Sequence, residues 1–207
     1  MRKHFVFFLL VMIFSFEIFG QNLNDDLESE IGFWVGGTFP APNTPMDELL
    51  ESSMGFGLFY RNHSFAPVLT EIGTSYGNYT SLSMQKLLSV PLYLSLNYLF
   101  QLYNRFSLQT KIGGGFTYLQ IRPNNLSGWN PILYGGVEFS ISASRRFKVG
   151  LRFDGYYIYE RLRREPKIIR YLYFFPGTYD PRIQNSLNYK LRDGAVYNFG
   201  LMVSFLY

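Results

Sequence analysis

The chain has no cysteine and two histidines in 207 residues. The first absence removes disulfides, thiolate nucleophiles, cysteine-based metal sites and lipid attachment at a lipobox cysteine. The second leaves His63 as the one histidine beyond residue 20, too few for ordinary zinc coordination. Neither a metal nor a cofactor is expected. Charged residues are sparse at 16%, and no apolar run reaches eighteen residues, so no helix of this chain would span a bilayer.

Aromatics are abundant instead, at 19%, and 19 glycines accompany them. Large rings beside glycines suit a closed barrel with a crowded interior and aromatic girdles. At the start, Arg2 and Lys3 precede an apolar run, Phe5–Phe16, interrupted only by Ser15, and Gly20 is a small residue at a plausible cleavage point. This reads as a signal peptide over 1–20, too short for a membrane helix. Residues 21–30, with Asp25, Asp26, Glu28 and Glu30, read as an acidic periplasmic lead-in, and 31–207 as one domain.

That domain shows eight segments of period-two alternation: Ile31–Phe39, Met54–Arg61, Val68–Gly77, Val90–Phe100, Phe106–Ile121, Ile132–Ser142, Phe147–Tyr159 and Ala195–Tyr207. Most reach the roughly nine to eleven residues that cross a bilayer at a tilt. The spacing predicts alternating connectors. Asn62–Pro67, Gln101–Arg105 and Ala143–Arg146 are short; Pro40–Ser53, Asn78–Ser89, Arg122–Pro131 and Glu160–Gly194 are long. Pro45–Ser52 offers a helical turn or two within the first long connector. Short turns on one side and long loops on the other match a membrane barrel with both termini in the periplasm. The expected fold is all-β: an eight-stranded antiparallel up-and-down transmembrane β-barrel. A water-soluble barrel of the same strands would leave its apolar face in water and bury Lys111, Glu138, Lys148, Arg152 and Asp154.

Strand parity turns Trp34, Phe59, Tyr93, Tyr134 and Tyr156 inward beside glycines. It also brings Lys111, Glu138, Arg152 and Asp154 to one region of the lumen, where they are expected to neutralise one another and seal it. An ion or proton path is the alternative. Outward rings are expected near the periplasm at Tyr98, Phe100, Phe106, Phe147 and Tyr207. Their counterparts near the outside are Phe39, Tyr76, Tyr118, Tyr157 and Tyr159.

Charge is uneven. Residues 161–194 hold eight basic residues against three acidic ones, and the remainder of 21–207 is slightly acidic. The basic excess therefore lies in one outer loop, 160–194, and is no nucleic-acid surface. Ile168–Phe175 and Ile183–Leu191 have strand-like composition around the turn-rich Pro176–Pro181. Arg161, Arg163, Arg164, Lys167 and Arg170 stand beside Tyr171, Tyr173, Phe174, Phe175 and Tyr179. Guanidinium and ammonium groups among aromatic rings suit anionic sugars, lipopolysaccharide phosphates or a protein edge. Catalysis has little to draw on. His63 adjoins Ser64, but adjacent residues of an extended chain point to opposite sides, so the two do not align as base and nucleophile.

The last strand carries a resemblance. Phe199, Leu201, Val203, Phe205 and Tyr207 alternate to a terminal aromatic, as in the sorting signal of bacterial outer-membrane barrels. With the eight segments and the loop alternation, the region resembles the OmpA transmembrane domain and OmpX, and more loosely the PorT-like barrels. That resemblance implies an outer-membrane location in a Gram-negative-type envelope. It implies contact with membrane lipids and lipopolysaccharide, recognition by the barrel assembly machinery, and a non-enzymatic structural role or contact with a surface ligand or protein. A lipid- or lipopolysaccharide-modifying enzyme, a narrow channel and a secretion-assembly barrel are the alternatives.

Overall fold

The computed structural model describes residues 29–44, 46–47, 50–80, 86–103, 105–122, 126–159 and 194–207. The signal peptide expected over 1–20, the lead-in up to residue 28 and loop residues 160–193 lie outside them. Eight strands follow one another: β1 (Ser29–Pro40), β2 (Ser53–Asn62), β3 (Val68–Thr80), β4 (Lys86–Tyr103), β5 (Phe106–Arg122), β6 (Leu126–Ser142), β7 (Phe147–Ile158) and β8 (Gly194–Leu206). Each pairs antiparallel with its neighbours, and β1 pairs with β8 to close a barrel.

Tracing paired residues around the wall from Ile31 of β1 leads through Tyr60, Ile72, Leu94, Gly114, Leu133 and Tyr157 to Ala195 of β8. The Ala41 N–H donates to the Ala195 carbonyl at 2.8 Å, so the trace returns to the chain of β1 ten residues beyond its start, 31 to 41. That stagger forces the strands to tilt and sets the width of a barrel that side chains just fill.

Alternation distributes the residues inside out. Ile112 is 67% exposed, Leu94 63% and Leu201 61%, all on the outer wall, whereas Glu71, Glu138 and Asp154 are fully buried within. Only hydrocarbon outside makes this distribution favourable, and a closed barrel satisfies every backbone group there. The barrel is a transmembrane β-barrel of the outer-membrane type. The rings expected at the outer ends of the strands do face outward: Phe39, Tyr76, Tyr157 and Tyr159 at one rim, Phe106, Phe147 and Tyr207 at the other.

The connectors correct the sequence reading. The segments between β3 and β4 and between β5 and β6 are residues 81–85 and 123–125, not long loops. β4, β5 and β6 run 18, 17 and 17 residues, and their pairing continues to the rim through Lys86↔Arg122 and Ile121↔Leu126. Pro131 hid this extension. In a strand a residue's N–H and C=O point to the same side. The Pro131 carbonyl accepts from the Tyr159 N–H at 3.0 Å, so its missing N–H lies on the β7 side, just where the β6–β7 ladder ends at Ile132↔Ile158. Pro91, inside β4, is accommodated differently. The β3–β4 ladder is interrupted between Thr74↔Leu92 and Gly77↔Ser89, and the Thr74 hydroxyl donates to the Pro91 carbonyl at 2.8 Å. The lead-in is also shorter than expected, because Ser29 and Glu30 belong to β1.

The first outer loop folds inward. Met46 and Asp47 are helical, and the Leu50 N–H donates to the Met46 carbonyl at 2.8 Å. Met46 is buried with Tyr79, Leu87, Leu119, Ile132, Ile158 and Val196, an apolar plug in the outer half of the lumen. Beneath it Tyr93 and Tyr134 stack at 4.2 Å between centroids. Lower still, Trp34, Phe59 and Met202 pack together.

Glycines make room for these rings. Phe59 lies opposite Gly32 and Trp34 opposite Gly57 across β1–β2, and Tyr93 lies opposite Gly73 across β3–β4. A Cβ at any of the three glycines would collide with the ring facing it. At the lipid-facing Gly135 an added Cβ would meet only the Lys111 carbonyl oxygen, at an ordinary 3.6 Å. Gly57→Val should therefore lower the stability of the refolded barrel by about 1–3 kcal/mol through overpacking, while Gly135→Ala should stay within about 0.5 kcal/mol. Urea unfolding in lipid vesicles measures both, and equal midpoints would refute the ring-over-glycine account.

An ionic cluster in the barrel lumen

Two arcs of charge face each other across the lower lumen, on the side of the chain termini. On β1–β3, Glu30 pairs across strands with Arg61, and Arg61 with Glu71. On β5–β7, Glu138 lies opposite Arg152, while Lys111 and Asp154 flank Gly136 from the two neighbouring strands. Parity alone turns all of them inward, since each shares the face of an inward ring or glycine on its own strand.

The arcs are locked crosswise. Arg61 donates to Glu30 at 3.0 Å and to Glu71 at 2.6 Å in its own arc, and crosses the lumen to Glu138 at 3.1 and 2.8 Å. Arg152 donates to Asp154 at 2.5 Å in its own arc and crosses to Glu71 at 2.7 Å. Lys111 donates to Glu138 and lies 3.5 Å from Glu71. Lys148, on β7 nearer the rim, donates to Glu30 at 3.2 Å. Among the described residues the buried charged side chains number four of each sign: Arg61, Lys111, Lys148 and Arg152 against Glu30, Glu71, Glu138 and Asp154. The network is neutral as a whole, although no single pair in it is isolated.

Neutral donors and rings complete it. Asn97 donates to Glu71 at 2.9 Å, Tyr93 to Glu71 at 3.2 Å and Tyr134 to Asp154 at 2.8 Å. Arg152 donates to both tyrosine oxygens, at 2.6 and 3.0 Å. The guanidinium carbons of Arg61 and Arg152 lie 4.8 and 4.7 Å from the centre of the Phe59 ring, within cation–π range. These contacts fill this level of the lumen with buried side chains. Above it, one cavity of about 10 Å³ lined by Thr38, Ser75, Tyr79, Ser89 and Tyr156 has room for about one water.

The four residues expected from the sequence, Lys111, Glu138, Arg152 and Asp154, are brought together. Glu30, Arg61, Glu71 and Lys148 join them and were not assigned to the cluster. Parity points to Arg61 and Glu71, which share the inward face with Phe59 and Gly73; Glu30 escapes it because β1 begins at Ser29, two residues before the Ile31 that the alternation marks. His63 is not a bland turn residue either. Its Nε2 lies 2.8 Å from Glu30 Oε2, so the imidazole turns toward the cluster and away from Ser64, which is exposed. Burial holds the His63 pKa below the ordinary histidine value, outweighing the hydrogen bond to Glu30, and nearby Lys148 adds to the lowering. Neutral His63 donates Nε2–H to the carboxylate. Of the sorting-signal residues, Phe199, Leu201, Phe205 and Tyr207 are exposed on the lipid face and Val203 is half-buried there. Arg161, Arg163, Arg164, Lys167, Arg170, Tyr171, Tyr173, Phe174, Phe175 and Tyr179 lie outside the described residues. Among the described residues no group of His, Asp and Glu is arranged to hold a metal ion.

No family model matches this chain, and no curated protein matches it in sequence. Solved structures do match in fold. Neisserial surface protein A superposes with a TM-score of 0.57 at 8% identity, over 86% of this chain and 97% of its own. Ail, the attachment invasion locus protein of Yersinia pestis, gives a TM-score of 0.48 at 13% identity, over 87% and 99% of the two chains. The N-terminal β-barrel domain of Pseudomonas aeruginosa OprF gives 0.47 at 14%, over 87% and 98%. The first of these carries the likeness, and it concerns the fold: this chain has the architecture of the small eight-stranded outer-membrane barrels.

Replacing Arg61 by Met takes one cation from Glu30, Glu71 and Glu138 together, leaves the buried network one negative charge in excess, and should cost about 3–5 kcal/mol, the range for breaking a buried pair from one side. Chemical denaturation of the refolded variant tests this; a loss below about 1 kcal/mol would show that the network is solvated. His63 gives a pH test. Its pKa is lower folded than unfolded, so the unfolded chain binds more protons between the lowered value and about 6.5. Stability should rise with pH through that window, and His63→Gln should flatten the rise.

Proposed function

We propose that this chain is a non-enzymatic outer-membrane barrel whose role is structural or depends on surface contacts made by its basic, aromatic outer loop, 160–194. One observation carries the reading: the lumen is filled by a neutral ionic plug beneath an apolar one. Among the described residues the lumen is occupied by side chains, which favours the wall and the ends as the acting surfaces. The lipid-facing aromatic ending, Phe199 to Tyr207, supports delivery by the barrel assembly machinery to the outer membrane. The loop's composition supports anionic partners such as lipopolysaccharide phosphates, or an acidic protein edge.

The alternatives fare less well. A histidine-based hydrolase is disfavoured, because the single histidine of the barrel is engaged with Glu30 at the terminus end. A steady channel would require the crossed arginines to part. A secretion-assembly role shares the surface reading and differs from it only in partner.

Replacing Arg161, Arg163, Arg164, Lys167 and Arg170 by Gln should weaken binding of lipopolysaccharide to the refolded barrel at least about tenfold, with the remaining binding less salt-sensitive. Equal binding by the two proteins would reject the loop as the contact surface. Trypsin on intact cells should cut at the arginines between Arg161 and Arg192 and spare Arg105, Arg145 and Arg146; the reverse pattern would invert the topology. Planar-bilayer recordings should show no steady open conductance.

A further inference from the structure

Three arginines stand apart from the balanced lumen. Arg105 lies on the β4–β5 turn, and Arg145 and Arg146 lie on the β6–β7 turn; all three are exposed. The two turns are adjacent, because the Ser142 N–H donates to the Arg105 carbonyl at 2.8 Å. The second turn is tight: the Ala143 N–H donates to the Phe147 carbonyl at 2.9 Å, and the Leu206 N–H donates to the Arg146 carbonyl at 2.8 Å, tying the turn to β8. Among the described residues, the carboxylates on this side of the barrel, Glu30, Glu71 and Glu138, face the lumen and are engaged there. Among the described residues, none of the three arginines forms an ion pair.

The surrounding surface fixes their depth. Tyr103 is 70% exposed, and Phe106, Phe147 and Tyr207 complete a rim of outward rings beside the same turns. Such rings sit where the apolar core of a bilayer meets its headgroups. The three guanidiniums are therefore level with the lipid headgroups of the leaflet on the terminus side. A guanidinium fork matches two phosphate oxygens at once, which an ammonium does not.

We propose that Arg105, Arg145 and Arg146 form a docking site for anionic, phosphate-bearing lipid headgroups in the leaflet on the terminus side. This rests on the membrane-barrel reading but is independent of loop 160–194. Two fixed turns hold the charges, and the aromatic rim holds the acyl chains beside them. The site anchors the barrel at the opposite leaflet from its basic outer loop.

The test is native mass spectrometry of the full chain refolded in micelles doped with phosphatidylglycerol or phosphatidylcholine. Insertion is followed independently by the fluorescence of Trp129, which is 58% exposed on the outer wall, so a variant that fails to fold is separated from one that folds and binds less. Wild type should retain phosphatidylglycerol preferentially. R105Q/R145Q/R146Q should fold and lose that preference, by about fivefold per arginine removed. The loop variant with Arg161, Arg163, Arg164, Lys167 and Arg170 replaced should keep it. Equal retention by wild type and the triple variant overturns the site. Stripping by inorganic phosphate beyond that by chloride at matched ionic strength overturns the lipid assignment in favour of free phosphate. Retention that appears only in D25N/D26N/E28Q overturns it too, by assigning the patch to the chain's own acidic segment.

Discussion

Two arginines crossing the lumen in opposite directions are the interaction on which the barrel depends. Arg61 reaches from the β2 wall to Glu138, and Arg152 from the β7 wall to Glu71. Each is also held by a carboxylate of its own side. Neither half of the barrel is neutral in contacts without the other, so a partly closed sheet would leave unpaired charges in a space with little water. Desolvation of a single buried ion costs several kcal/mol. Closure relieves that cost for both arcs together, and the ionic network therefore specifies the closed state as well as filling it.

The rings and glycines follow from the same constraint. Eight strands with a stagger of ten residues leave a lumen only as wide as its side chains. Guanidiniums reach across it only if something levels the wall around them. Phe59 does this by lying flat over Gly32, and both guanidiniums rest against its ring. Trp34 over Gly57 and Tyr93 over Gly73 repeat the device. The tyrosine layer then ends the ionic region: Tyr93 and Tyr134 hydrogen-bond downward to Glu71 and Asp154 and present their ring faces to each other. Charge gives way to apolar packing within one layer.

The fold was legible in the sequence because a transmembrane barrel writes it twice, in the period-two alternation and in the chain's inverted distribution of charge. The eight strands and their faces follow from those two signals alone. The rims were not legible. Pro131 looks like a strand breaker, and its tolerance depends on a ladder ending set by neighbours distant in sequence. The ionic cluster was half legible for a related reason. Glu138 and Arg152 meet across a four-residue turn, so local register reveals them. Arg61 meets Glu138 over 77 residues, and only barrel closure brings them together. His63 stands in a short turn, and nothing local marks Glu30 as its partner.

The likeness to a neisserial surface protein at 8% identity has the same origin. Outward positions need only be apolar, and inward ones need only sum to the right volume and to zero charge. Those are constraints on classes of residue and on totals, which many sequences meet. The identities of the residues are fixed where totals do not suffice, at crossing pairs such as Arg61–Glu138 and at glycines beneath rings. Neither kind of position faces a partner outside the barrel. The wall and lumen therefore record how the chain stands in a membrane. On the proposed reading, the chemistry that distinguishes this barrel from others of its architecture belongs to the residues at its two ends.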